Sequence, residues 1–546
     1  MTSGTSDMSL ARSPSELVRL SSRQFSENAA LHIPLPACLS YSTEPITLSY
    51  SELATAINQA SALWVGVGIR GRVALVLENR PDFFIHWLAL NNLGISVIPL
   101  NHELSDDEIP YYLEHGKTQA LLCLESHLER MKRICDGLTR SIPCVTPVTF
   151  GDLKVGEPMK VAEPDLKAEC ALLYTSGSTG KPKGCILSNN YFVQQGIWYS
   201  KLDGYIKLRE GEERLLTPLP LSHMNAMAVS SMAMFITGGC LIQLDRFHPA
   251  SWWESIRMSQ ATALHYLGIL PAILLDLPES SEDDFSRQIR FGFGAGVNPR
   301  DHFRFEQRFG FPLIEAWAMT ECGAGGAIVA HREPRHVGSC CFGRPSAELD
   351  WQIVDEFDLP VGVGEPGELR VRAAGDDPAK GYFSGYLDNR TATEEIWRDG
   401  WLNTGDIVRE LEDGSLIFMD RKKNIIRRSG ENISALEVES VMSGHASIHL
   451  AFAAPVIDEL RGDEVAVCVE LEPGEIPSMK VAKSIQQYTL SKLAYFKAPG
   501  WVVFRENLPV TASNKPRRAD IKQLAQASVN AGKAFDLRSL KVRKVS

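Results

Sequence analysis

Short apolar runs and helix-like segments alternate along the first part of the chain, and this alternation limits the fold more than any other feature. We interpret three runs as strands (RVALVLEN, ISVIPLN and ALLCL) and the two segments between them as helices (PDFFIHWLALNNLG and SDDEIPYYLEHGK). The alternation resumes further on, through ATALHYLGIL, IRFGFGAG and PLIEAWAM. Such a pattern is typical of doubly wound α/β layers built on parallel sheets. It also places Asp106, Asp107 and Glu108 in the first turn of the second helix, where negative charge is favourable.

The chain is long enough for more than one hydrophobic core. At 546 residues it exceeds what a single core serves, so at least two domains are expected. Between about 338 and 420, short strands alternate with Gly, Pro and Asp, which predicts an antiparallel β subdomain. We therefore predict a large N-terminal domain of doubly wound α/β layers over residues 1–420, including this subdomain, and a small mobile α+β C-terminal domain over residues 421–546.

Composition excludes several classes of protein. The net charge of −11 offers no basic face for nucleic acid. Eleven cysteines without C-x-x-C or zinc spacing indicate reduced thiols and a cytoplasmic location, and the amino terminus has no apolar core of a secretory signal. We expect no nucleic-acid partner, and a monomer or homodimer.

One uncharged stretch, residues 221–244, is long enough to imitate a membrane span. It contains several hydroxyls, His223, Asn225 and the pair Gly238-Gly239, so we interpret it as a buried helix, a turn and a strand, CLIQL. No integral membrane segment is expected.

A loop rich in glycine and hydroxyl side chains, YTSGSTGKPKG, follows the strand candidate ECALLY. Backbone N–H groups close around phosphate oxygens where side chains do not obstruct them, so the loop favours phosphate binding. A Walker-type loop does not fit, because only two residues separate Gly177 from Gly180 and Pro182 follows Lys181. The alternative is a flexible connection, against which the packed elements on both sides argue.

Further motifs follow this loop in a fixed order: FGAGVNP, EAWAMTE, WLNTGDI, MDRKKN, RRSGENISALEVE and LPVTASNKPRR. Together they resemble the adenylate-forming superfamily, which includes acyl-CoA synthetases, non-ribosomal peptide adenylation domains and beetle luciferases. The resemblance covers nearly the whole chain. It implies that the protein binds ATP and Mg²⁺ and that a carboxylate attacks the α-phosphate of ATP.

The resemblance also implies a set of nucleotide-binding residues. The phosphate loop would consist of Thr175, Ser176, Gly177, Ser178, Thr179, Gly180, Lys181 and Lys183. The turn Gly294, Ala295 and Gly296 would lie beside the adenine, and Trp317 would stack on it. Asp406 would accept hydrogen bonds from the ribose hydroxyls, and Arg421 would make a second ribose or phosphate contact.

Four residues would act on the reacting groups according to the same resemblance. Thr320 would bind phosphate, and Glu321 would bind Mg²⁺, which a single carboxylate suits. Lys515 would contact the α-phosphate and the attacking carboxylate. His223 matches a histidine that gates the carboxylate tunnel in CoA ligases; the alternative is a core histidine bonded to a backbone carbonyl.

The smaller domain would supply the second half of the reaction. Lys423 matches the hinge between the domains, and Gly430 lies in the loop brought to the active site for thioester formation. The chain departs from the superfamily at three positions, where Glu315 replaces a glutamine and Ala318 and Asn514 replace glycines. The first two affect the expected shape of the substrate pocket.

The resemblance implies an AMP-forming acid–thiol ligase that makes an acyl-CoA from ATP, coenzyme A and a small-molecule carboxylic acid. GENIS is most similar to the ligases related to carnitine/crotonobetaine-CoA ligase. The alternative is a stand-alone adenylation enzyme that loads a carrier protein. A non-catalytic nucleotide-binding regulator ranks last, because Lys515 and Glu321 are both present. The sequence does not identify the acid.

Overall fold

The structure is a computed structural model that describes residues 8–149, 163–175, 182–429, 431–510 and 516–541. One helix shows how local sequence sets both of its ends. Ser49 and Glu52 form a capping box at the start of the helix Tyr50–Val67, and Gly68 ends that helix with a φ of 73°. These local signals mark both ends of the helix in the sequence.

A first sheet contains the strand–helix units that the alternation predicts. Its strands, in spatial order, are Cys144–Val145, Thr118–Cys123, Arg72–Val76, Ser96–Pro99, Glu169–Thr175 and Lys183–Ser188. Neighbouring strands are parallel except the last two, which pair antiparallel and end with Thr175 opposite Lys183. Strand residues therefore fix both ends of the predicted phosphate loop.

A second sheet has eight strands and is parallel except at its two edges. In spatial order they are Ile328–Val329, Leu313–Trp317, Phe291–Ala295, Ala263–Leu267, Arg214–Thr217, Cys240–Gln243, Ala29–Ile33 and Ile46–Ser49. The carboxyl ends of its parallel strands lead to the turns that carry the predicted adenine and Mg²⁺ residues.

Helices separate the two sheets and cover their outer faces. The layer between them, whose buried side chains form the largest core, contains Pro14–Gln24, Tyr50–Val67, Pro81–Asn92, Asn189–Lys201 and Ser231–Thr237. The outer face of the first sheet is covered by Ile109–His115 and Glu125–Asp136. That of the second is covered by Trp252–Ser259, Ile269–Asp276 and Pro299–Phe309. The predicted doubly wound α/β layers are confirmed.

Two further sheets complete the chain. The antiparallel third sheet has the strands Cys341–Gly343, Leu416–Arg421, Trp401–Glu410, Pro366–Ala373 and Leu349–Val354, with Trp397–Arg398 at its side. The fourth has Glu431–Ser434, Ile425–Arg428, Gly462–Leu471, Trp501–Phe504 and Phe535–Asp536, with Ile448–Asp458 beside Gly462–Leu471. Its helices are Ala435–Met442, Met479–Lys492 and Arg518–Asn530. The domain limits stay predictions; the strand that ends at Arg421 belongs to the third sheet, and the short turn Lys422–Asn424 leads to the fourth.

The uncharged stretch folds as the sequence predicts. A π-helical segment, Asn225–Ser230, continues as the helix Ser231–Thr237, and Gly238 ends it with a φ of 66° before the strand Cys240–Gln243. Within the described ranges, no helix combines the length and the apolar character needed to cross a membrane.

The three acidic residues near position 107 do not belong to a helix, so that prediction is wrong. The helix begins at Ile109, and Asp106, Asp107 and Glu108 precede it. Asp106 instead accepts from Arg130 and Arg133 of the helix Glu125–Asp136, at 2.7 and 3.0 Å. A long-range ion pair, which sequence periodicity does not show, decides the position of this carboxylate.

Candidate active site

Three sheets meet at the residues that the sequence predicts for the site. Thr175 ends a strand of the first sheet, and its hydroxyl lies 3.4 Å from Oε1 of Glu321. Glu321 follows the strand Leu313–Trp317 of the second sheet. The indole N–H of Trp317 donates to Oδ2 of Asp406, in the third sheet, at 2.8 Å. Two contacts between the sheets therefore flank the short chain segment from Trp317 to Glu321.

Glu321 is buried and held by a tyrosine that sequence reasoning missed. The Tyr386 hydroxyl donates to Glu321 Oε1 at 2.7 Å. Tyr386 reaches this position because residues 384–387 pair along the strand Lys183–Ser188, with an isolated bridge between Cys185 and Tyr386. Burial, with the Glu321 carboxylate as a second cause, raises the pKa of Tyr386, so the hydroxyl stays a donor. The sequence offers no signal for this contact, because it depends on the added strand pairing.

The Lys183 ammonium lies 4.9 Å from the centre of the Tyr386 ring. A cation above an aromatic face is attracted by the ring quadrupole. Lys183 therefore lies with Thr175 and Glu321 at the closed end of the first-sheet hairpin. This is the position from which a cation can contact an anion held by the loop between these strands.

Asp406 is almost fully buried, with 1% of its surface exposed. Burial raises its pKa to about 6, although Arg421 and the Trp317 indole act in the opposite direction. The Arg421 Nε atom lies 2.7 Å from Oδ1. That oxygen is buried and has no aligned hydrogen-bond donor among the residues the structure describes, so its acceptor capacity is unused.

The turn after the strand Phe291–Ala295 requires two glycines. A Cβ on Gly294 would lie 2.3 Å from the carbonyl oxygen of Tyr266, and Gly296 has a φ of 79°. Glu315 accepts from the backbone N–H of Gly296 at 2.8 Å, from that of Val297 at 3.3 Å and from the Tyr266 hydroxyl at 2.7 Å. An acceptor-only carboxylate suits three donors, which explains this departure from the superfamily pattern.

The other residues discussed at the ends of the strands Phe291–Ala295 and Leu313–Trp317 are at least partly exposed. Ala295 and Ala318 are exposed, and Thr320 is half-buried in the turn before Glu321. The methyl group of Ala318, where the superfamily has glycine, therefore lies on the accessible surface of the site and does not disturb the core.

His223 is exposed, in the turn between the strand Arg214–Thr217 and the π-helical segment. The alternative of a core histidine is therefore wrong. The buried histidine of this region is His265, whose ring bonds to Ser230 at 2.7 Å, Asn225 at 3.1 Å and Tyr199 at 3.2 Å. Burial lowers the pKa of His265 to about 3, so its ring is neutral and holds the π-helical segment against the second sheet.

The predicted hinge lies in the short turn Lys422–Asn424, where Lys423 is exposed. Asp420, just before it, accepts from the Ser434 hydroxyl at 3.0 Å and from the Leu436 N–H at 2.9 Å, at the start of the helix Ala435–Met442. Asp420 thus connects the third sheet to the fourth-sheet domain across the hinge, a contact that the sequence did not indicate.

Some predicted residues lie outside the described ranges. They are Ser176, Gly177, Ser178, Thr179, Gly180, Lys181, Gly430, Asn514 and Lys515. Their assignments stay predictions.

Comparison with known proteins defines the class to which this fold and site belong. The family model "AMP-binding enzyme" matches residues 24–383, and the model "AMP-binding enzyme C-terminal domain" matches residues 437–515. The chain belongs to the AMP-binding enzyme family. The predictions of an adenylate-forming protein, of its fold class and of an AMP-forming ligase are confirmed.

Individual relatives agree with this class. The crotonobetaine/carnitine–CoA ligase of Escherichia coli O157:H7 is 28% identical over 491 residues, which are 87% of this chain and 93% of the relative. The o-succinylbenzoate–CoA synthetase of Bacillus subtilis, solved with ATP and a magnesium ion, has a TM-score of 0.77 and 23% identity over 93% of this chain and 97–99% of its own solved chains. An anthranilate–CoA ligase solved with anthranoyl-AMP has a TM-score of 0.80 and 20% identity, and the match covers 96% of this chain and 99% of the ligase chain. The two solved structures show the likeness of fold.

Proposed function

We propose that this protein is an ATP-dependent acyl-CoA ligase that works in two steps. A carboxylic acid attacks the α-phosphate of ATP, giving acyl-AMP and pyrophosphate; the thiol of coenzyme A then takes the acyl group and releases AMP. The observation that carries this proposal is a pair of contacts, Thr175 with Glu321 and Trp317 with Asp406, that the short chain segment from Trp317 to Glu321 joins. It brings a phosphate-loop end, a carboxylate and a hydroxyl-binding aspartate into one site.

The nucleoside would bind at the Trp317 and Asp406 end of the site. The free acceptor capacity of Asp406 Oδ1 suits a ribose hydroxyl, with Arg421 beside it. Gly296 leaves room beside the adenine, because a Cβ there would meet no atom within 4 Å, whereas Gly294 is required by the close approach of the Tyr266 carbonyl oxygen. Trp317 uses its indole N–H on Asp406, which fixes the ring that would contact the base.

The phosphates and Mg²⁺ would bind at the Thr175 and Glu321 end. Mg²⁺ prefers oxygen ligands and keeps several waters, so one carboxylate beside hydroxyl groups suits it. Tyr386 and Thr175 orient the Glu321 carboxylate from one side. In the B. subtilis relative, ATP and a magnesium ion are bound together. Bound Mg²⁺ would offset the charge of the leaving pyrophosphate.

Coenzyme A is the proposed acyl acceptor because the similar proteins described above are CoA ligases or CoA synthetases. His223, exposed at the second-sheet turn, would gate the entry of the carboxylate. Lys515 would contact the attacking carboxylate in the first step, and the loop at Gly430 would replace it in the second.

The test is a product assay with a panel of carboxylic acids. We expect AMP and pyrophosphate only when an acid is present, with coenzyme A consumed in equal amount. Release of ADP, or turnover that requires a carrier protein and ignores coenzyme A, would refute the ligase proposal.

A further inference from the structure

Among the residues that the structure describes, Glu78, His102 and His127 form a cluster outside the active site. One ligand atom from each lies within 4.8 Å of the others. The two imidazole rings stack with centres 5.4 Å apart and planes inclined by 24°. All three side chains are half-buried, so solvent reaches the cluster while the surrounding chain holds it in place.

The topology of the first sheet explains why these residues meet. Glu78 follows the strand Arg72–Val76, and His102 follows Ser96–Pro99. His127 lies in the first turn of the helix Glu125–Asp136, which follows the strand Thr118–Cys123. The chain passes from the first of these strands to a neighbour on one side and then to a neighbour on the other. The carboxyl edge at such a switch point is a crevice in which α/β proteins bind ligands.

The His127 Nε2 atom lies near the Glu78 carboxylate without a hydrogen bond to it. It is buried and makes no hydrogen bond within the described residues, and Oε1 of Glu78 lies 4.0 Å away. That gap is too long for a hydrogen bond. With metal–ligand bonds of about 2.0–2.1 Å, two ligands of one tetrahedral ion lie about 3.3 Å apart, which these half-buried side chains reach by moving less than about an ångström.

A nearby arginine holds one of the three ligands in place. Arg130 donates to the carbonyl oxygens of His102 and Leu104 and thereby fixes the loop that carries His102. Its charge is paired with Asp106 at 2.7 Å.

We propose that Glu78, His102 and His127 bind a divalent transition-metal cation, with Zn²⁺ as the best match. Two imidazoles and one carboxylate with room for water suit Zn²⁺, whereas Mg²⁺ prefers oxygen ligands alone. The cation would join three loops at the switch point. One of them follows the strand Ser96–Pro99, the neighbour of the strand that leads into Thr175.

Equilibrium dialysis of the metal-free, full-length protein against Zn²⁺ in excess Mg²⁺ tests this site, with Co²⁺ absorption as a second readout. His102→Gln and His127→Gln should each lose one bound Zn²⁺ or weaken its binding by about tenfold or more. Zn²⁺ should also raise the melting temperature of the wild type but not of these variants. His449→Gln, a control at an exposed histidine of the fourth sheet, should bind as the wild type does.

Equal stoichiometry and affinity in the wild type and both cluster variants would overturn the proposal. A Co²⁺ spectrum with a thiolate charge-transfer band would overturn it as well, because the cluster contains no cysteine. Equal melting temperatures of all proteins without metal would show that the variants fold, so that lost binding reports the site itself.

Discussion

Nucleoside binding should weaken in acid because Asp406 titrates far above an ordinary aspartate. Burial raises its pKa from 3.8 to about 6. A shift of about two units corresponds to roughly 3 kcal/mol between the charged and neutral forms. Because a ribose hydroxyl donates to the carboxylate, only the charged form should bind well. Affinity should be nearly complete above about pH 7 and fall as the pH drops through about 6.

The size of the effect follows from simple titration. With a pKa of about 6, the dissociation constant should double near pH 6 and rise about elevenfold near pH 5, whereas an aspartate of ordinary pKa would change it by less than about 1.1-fold. The folding stability of the free protein should change with pH in the opposite direction, so that this carboxyl group stabilises the protein more in acid. A raised carboxyl pKa contributes stability that is complete below the unfolded value of 3.8 and is lost as the pH rises through about 6.

Calorimetric titration with adenosine measures this effect, because adenosine has the ribose and the base but no phosphate that titrates in the same range. Two controls separate Asp406 from other groups. Asp406→Asn should bind weakly at every pH, and 2′,3′-dideoxyadenosine should bind the wild type without pH dependence. If adenosine affinity in the wild type stays constant from about pH 8 to pH 5, the account of Asp406 is wrong.

Further predictions concern the two half-reactions and the Glu321 contacts. Lys515→Ala should lose adenylate formation by about a hundredfold or more but still convert synthetic acyl-AMP and coenzyme A to acyl-CoA, and equal losses in single-turnover assays of both steps would contradict this role. Lys423→Pro should impair the thioester step and leave adenylate formation largely intact, because the fixed φ of proline stiffens the turn. An unimpaired thioester step in this variant would exclude Lys423 as the hinge. Glu321→Ala should abolish Mg²⁺-ATP use without unfolding the protein, and Tyr386→Phe should lower kcat/KM for ATP by about tenfold, because it removes a hydrogen bond to a charged group. Full activity of Glu321→Ala across a Mg²⁺ titration would refute the metal role of Glu321, and full activity of Tyr386→Phe would refute the contribution of its hydrogen bond. His223→Ala should change the preference among acids but not the KM for ATP; an unchanged acid profile would exclude a gate.

The sequence alone determines the local parts of this protein. Alternating apolar runs predict the parallel layers, and the capping pair Ser49 and Glu52 fixes a helix start, because both signals act over a few residues. The motif order also predicts Thr175, Glu321, Trp317 and Asp406 as site residues, and the structure brings Thr175 to Glu321 and Trp317 to Asp406. The acidic residues at 106–108 mark the limit of local reasoning, since a remote arginine decides where Asp106 lies.

Only the tertiary structure decides which side chains meet. The Tyr386 contact with Glu321 requires a loop segment to pair with a strand 200 residues earlier in the chain. The pKa of Asp406 depends on burial beneath a tryptophan from another sheet, and the meeting of Glu78, His102 and His127 depends on strand order. Periodicity reports which face of an element is apolar but not which elements become neighbours. These contacts therefore follow from the packing of the sheets and are absent from any single stretch of sequence.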